Sequence, residues 1–155
     1  MSIETAKAQL QARVGLETYV GSWITVDQDR INKFADATLD RQWIHTEPER
    51  AAQQSPFGAT VVHGFLTLAL LPYLTESINP DKPQFEGQKM AVNYGLNRVR
   101  FPNPVKAGSR IRARKELVSF EEVKGGLQMV NKVTVDIEGQ EKPACVAEMI
   151  SRIYF

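Results

Sequence analysis

Asp40, His45, His63 and Gly64 lie in one stretch, DRQWIHTEPERAAQQSPFGATVVHG, which holds both of the chain's 2 histidines. A carboxylate and an imidazole on either side of one water molecule can move protons near neutral pH. The imidazole takes a proton, and the carboxylate holds the water or exchanges the second proton. Five positions separate Asp40 from His45. On an α-helix that spacing is about 140° of rotation, so the two side chains cannot share a helical face. They converge only if Leu39 to Ile44 forms a turn or loop. The same spacing also suits a surface aspartate beside a histidine that caps or packs.

Gly64 stands near the start of an apolar segment. Unpaired backbone N–H groups at a helix start carry partial positive charge and can hold an oxyanion or a polarised carbonyl. Glycine lets a ligand approach that backbone closely, but it equally lets a helix press against a sheet. His63 reads as a structural ring, satisfied by a hydrogen bond at the helix start. Trp43 either shapes a pocket wall or covers the loop. Zinc sites need roughly three or four closely arranged His, Cys or acidic ligands. With only Asp40 and Glu47 near His45, and His63 opening a buried helix, no metal site is expected.

The elements that must position these residues change character along the chain. Thr5 to Arg13 is helix-compatible, with Gly15 as a stop, and Ser22 to Val26 alternates as a short strand. Thr25 with Gln28 resembles a capping box, with Asp27 and Asp29 in the first turn. Ile31, Phe34 and Ala35 carry an apolar stripe to about Ala37. A second short helix starts at Pro48, and Ser55 to Gly58 is a loop. From about Val61 to Ile78 almost no polar face remains, which predicts a helix buried on all sides and kinked at Pro72. After breaks at Pro80 and Pro83 come four β-rich runs: Met90 to Phe101, Arg110 to Val118, Leu127 to Ile137, and Ala144 to Tyr154. Helices followed by antiparallel strands indicate an α+β domain, a curved sheet wrapped around the apolar helix.

A chain of 155 residues fits one domain spanning 1–155. The formal net charge of +1 favours neither nucleic acid nor an anionic membrane as partner. One cysteine, Cys145, excludes an intramolecular disulfide and reads as a packed core thiol. The polar N-terminus lacks a signal-peptide core, and Phe65 to Leu74 is far shorter than the ~20 residues that span a bilayer. A cytoplasmic location is the default. Arg98, Arg100, Arg110, Arg112, Arg114 and Lys115 read as the solvated face of strands. Their alternative role is contact with the phosphates of a nucleotide-bearing substrate.

Taken together, DRQWIH, PFGATVVHGFLTLALLP and NYGLNRVRFPNPVKAGSRIRA resemble the MaoC-like dehydratases, in their NodN-like branch, over roughly Val26 to Ile150. The resemblance implies a hotdog fold, an antiparallel sheet around a long central helix, and a homodimer. It implies (R)-specific hydration of trans-2-enoyl-CoA to (R)-3-hydroxyacyl-CoA, or the reverse dehydration, with no cofactor. By matched position Asp40 and His45 become the catalytic pair. Gly64 becomes the backbone donor to the thioester carbonyl. Better-known hydratases carry Asn-Pro where this chain has Gln42-Trp43, and the serine some members carry on the helix falls at Pro72. A hotdog acyl-CoA thioesterase and a non-catalytic acyl-thioester-binding protein are the alternatives.

Overall fold

The β-rich half of the chain forms four long strands: β3 (Met90–Arg100), β4 (Arg110–Val123), β5 (Gly126–Ile137) and β6 (Cys145–Tyr154). In this computed structural model residues 3–79 and 81–155 are described; the expected break at Pro80 lies outside them. Two short strands, β1 (Glu17–Val20) and β2 (Ile24–Thr25), both pair with β4. The order is β1-β4-β5-β6-β3, and every pairing is antiparallel. Alternation explains why the sheet has a buried face: Leu127, Met129, Val133, Val135 and Ile137 of β5 all point inward. The β4 strand runs on to Val123, beyond the expected end at Val118. It absorbs a register shift between Leu117 and Ser119 and turns through Gly125, whose φ of +77° suits glycine.

Ahead of the sheet come α1 (Ile3–Gln11), α2 (Gln28–Thr38), α3 (Trp43–Thr46), α4 (Pro48–Gln54), α5 (Gly64–Ala69) and α6 (Leu71–Leu74). The Thr25–Gln28 capping box does not form. Asp27 caps α2 instead, its side chain accepting the Arg30 N–H at 2.9 Å, and Gln28 is left free for another use. The expected long apolar helix is two short ones. Leu70 ends α5, and Pro72 sits in the first turn of α6, where its missing N–H has no intrahelical partner to lose.

Burial on all sides is also corrected. Leu66, Leu71 and Leu74 enter the main core with Val26, Ile31 and the inward residues of β4 to β6, but Phe65 is 68% and Tyr73 64% exposed. No element among the described residues covers that face. A second, smaller core gathers Ala6 and Leu10 of α1 with Phe85, Leu117, Leu127, Met129 and Ile153. Cys145 is fully buried in the main core, and burial pushes its thiol up to about 11.

Candidate active site

Asp40, His45 and His63 come together where the loop after α2 passes the start of α5, each offering a ligand atom within 4.8 Å of the others. The loop is made by Leu39, which ends α2 with a left-handed φ of 65°. Residues 39–42 are irregular, as the helix geometry of the Asp40–His45 spacing requires, but His45 itself belongs to the single turn of α3. Thr46 Oγ1 donates back to the Gln42 carbonyl at 3.2 Å and closes that turn.

A short extended segment, Thr60 to Val62, fixes the imidazole of His45. Val61 N–H donates to the Ile44 carbonyl at 3.0 Å, while His45 Nδ1 lies 2.6 Å from the Val61 carbonyl. A carbonyl can only accept, so Nδ1 carries the hydrogen and Nε2 keeps its lone pair. The segment is held in turn by Val62 N–H to the Val105 carbonyl and Ala107 N–H to the Thr60 carbonyl. Gln28, expected only as part of a capping box, ties the two sides together. Its Nε2 donates to the His45 carbonyl at 2.7 Å, and its Oε1 accepts from Thr60 Oγ1 at 2.6 Å. The only sequence signal for this was an uncharged amide left at a helix start.

His63 takes the opposite tautomer. Its Nε2–H donates to the Asp40 backbone carbonyl at 2.9 Å, so the lone pair sits on Nδ1, which is buried without a hydrogen-bond partner among the described residues. The ring stacks on His45 with centroids 3.8 Å apart and receives the edge of Phe34 at 4.9 Å. The expected hydrogen bond is therefore present, but it satisfies one nitrogen only. The Asp40 carboxylate is half exposed, 4.0 Å from His63 Nε2.

Burial holds the His45 pKa below the usual imidazole value, and His63 pushes it further down. The Val61 carbonyl and Asp40 act the other way. His45 is thus a neutral ring with an unprotonated Nε2 at neutral pH, the form a general base requires. As a metal cage the trio is poorly arranged, because the planes of the two rings lie only 22° from parallel. In-plane lone pairs of stacked rings do not converge on one ion.

Gly64 is the first residue of α5, so its N–H precedes the helical bonding pattern. A Cβ there would meet the Phe101 ring at 2.9 Å, which gives the packing reading a concrete partner. Trp43 lies under the Arg50 guanidinium, 4.5 Å from the ring centroid. Among the strand cations, Arg110 pairs with Glu138, while Arg112 and Arg114 pair with Asp136, as a solvated face predicts. Lys115 departs from that reading, because it occupies an inward register of β4.

Residues 9–139 match the MaoC like domain family. The chain belongs to the MaoC-like dehydratase family. Among this MaoC-like protein's relatives, 3-hydroxyacyl-thioester dehydratase Z of Mycobacterium tuberculosis is 51% identical over 94% of this chain and 93% of that protein. Nodulation protein N of Rhizobium leguminosarum bv. viciae is 48% identical over 98% and 93%, which places the chain in the NodN-like branch. The solved (R)-hydratase from A. caviae involved in PHA biosynthesis superposes with a TM-score of 0.66 at 22% identity, covering 86% of this chain and 95% of that one. That likeness establishes the hotdog architecture. No helix among the described residues is long and apolar enough to cross a membrane.

Proposed function

We propose that this MaoC-like protein is an (R)-specific enoyl-CoA hydratase, adding water to trans-2-enoyl-CoA or removing it from the (R)-3-hydroxyacyl thioester. The observation that carries the reading is the tautomer lock on His45, which leaves Nε2 with its lone pair in a ring that has a nitrogen within 4.8 Å of the Asp40 carboxylate. In the hydration direction, His45 Nε2 takes a proton from a water held with Asp40, and the hydroxide adds to C3. The pair then returns a proton to C2 on the same face, so that the water is added across the double bond. Gly64 N–H donates to the thioester carbonyl, which draws charge away from C3 and stabilises the enolate-like intermediate. The thioester dehydratase relative supports the reaction class, and the (R)-hydratase likeness is compatible with it.

A single domain acting as a homodimer in the cytoplasm, where acyl-CoA thioesters are made and used, completes the proposal. Support for a second copy comes from β3, an edge strand that exposes Met90, Val92, Tyr94 and Leu96, and from the exposed Phe65 and Tyr73 of the helical layer. The test is crotonyl-CoA with purified protein. Loss of enoyl absorbance without free thiol supports hydration, whereas release of thiol means a thioesterase. Wild-type turnover in both Asp40→Asn and His45→Gln would remove the catalytic assignment.

A further inference from the structure

Two inward registers of the sheet are polar where their neighbours are apolar. The inward row of β4 runs Ile111, Ala113, Lys115, Leu117, and that of β5 runs Leu127, Met129, Asn131, Val133. Because Lys115 opposes Val133 and Leu117 opposes Asn131, the ammonium-bearing and amide-bearing positions are diagonal neighbours on the buried face. Both line a cavity of about 350 Å³ between α1, the sheet and the segment after α6. It shares no lining residue with Asp40, His45, His63 or Gly64.

Neither polar group is satisfied by the protein. Asn131 is 4% exposed, and its side chain forms no hydrogen bond among the described residues. Lys115 has no ion pair within 4.0 Å among the described residues; Glu76, the acid in the lining, pairs at 3.9 Å with Lys82 instead. Lys115 Nζ lies 5.7 Å from the Tyr19 ring, and Arg13 adds a second cation to the lining. Burial, followed by Arg13, lowers the Lys115 pKa, and Glu76 across the cavity only partly opposes them. The rest of the lining includes Leu10, Phe85, Leu117 and Met129 from the smaller core. A half-buried cation and an unpaired amide over an apolar floor match one ligand chemistry: a carboxylate on a short apolar body.

We propose that the cavity between α1 and the sheet is a second binding site, in which Lys115 and Asn131 hold the carboxylate of a medium-chain monocarboxylic acid and the smaller core receives its tail. The site stands whether or not the protein is a hydratase. Octanoate is the probe, titrated calorimetrically into the full chain, with side-chain amide resonances followed by NMR. Saturable one-to-one binding is expected, weakened at least tenfold in Lys115→Met and at least tenfold for the uncharged octanamide. The Asn131 amide pair should shift on titration. Equal affinity in wild type and Lys115→Met, no binding of octanoate, or shifts confined to the Asp40–Gly64 stretch would each overturn the proposal. Asn131→Leu supplies an independent variant: its affinity must also fall, because the amide is the second group on the carboxylate.

Discussion

The histidine pair and the Lys115–Asn131 cavity both put polar groups inside an apolar fold, but opposite parts of the chain build them. The histidines are drawn together by a loop and a helix start within one stretch of sequence, each ring braced by a backbone carbonyl. Lys115 and Asn131 are brought together by strand register alone, and among the described residues no backbone group braces their tips. Bracing orients a group for chemistry, whereas an unbraced buried polar group costs stability until something binds it.

Substitutions should separate the two regions by kind of effect. The largest is expected for His45→Gln: hydration of crotonyl-CoA falls by roughly 10²–10⁴-fold, the range for a lost general base, with Asp40→Asn close behind. Steady-state kinetics on folded protein checks this, and a loss below about tenfold would place His45 with the structural residues. Gly64→Ala comes next. Its new methyl meets the Phe101 ring at 2.9 Å, an overpacking of about 1–3 kcal/mol. If Gly64 matters through packing, adding Phe101→Ala restores the lost thermal stability and the rate; if it matters as a donor close to substrate, stability returns but kcat does not.

On the cavity side the sign reverses. Asn131→Leu replaces an amide that forms no side-chain hydrogen bond among the described residues but opens onto the cavity, and should raise stability by at most about 1 kcal/mol, or ~2–4 °C in Tm for a chain of this size. A drop in Tm would mean that the amide is already satisfied. Acid should act on the histidine side. Because the His45 pKa is held below 6.5, the unfolded chain takes up a proton first as pH falls. Stability therefore declines as pH drops below 6.5 and continues to decline to the folded value. The acid limb of kcat/KM should lie below pH 6.5, and His45→Gln should flatten the decline in Tm between pH 7 and 5. An effect of the same size is expected for Leu39→Gly, a gain of about 1 kcal/mol from relieving the φ of 65°, measured by denaturant titration.

The same contrast governs what the sequence discloses. That Asp40 and His45 meet across a loop, and that Gly64 opens a helix, was legible because the pair is near in sequence and helix geometry excludes a shared helical face. The four strands were legible from alternation, to within a few residues except at the end of β4. His63's unpaired nitrogen was not, because a tautomer depends on which carbonyl faces the ring. Gln28 was hidden because its partners, His45 and Thr60, lie across a tertiary contact. Lys115 was grouped with outward arginines because the alternating charges of β4 do not say where the inward row begins; that is fixed by pairing with β5. The helical run around Pro72 looked uniformly buried because apolar composition does not reveal that one face lacks a cover from its own chain.

Leu39 also limits how this chain can vary in length. A left-handed leucine reverses the backbone directly after α2, and within a few residues the Asp40 carbonyl must meet the ring of His63. Adding or deleting one residue at the end of α2 would turn that carbonyl by about 100° around the helix axis and part it from the imidazole. Insertions should therefore be tolerated around Ser55 to Gly58 and rejected between Thr38 and Gln42. The reversal acts as a fixed spacer, with no slack for evolution to take up.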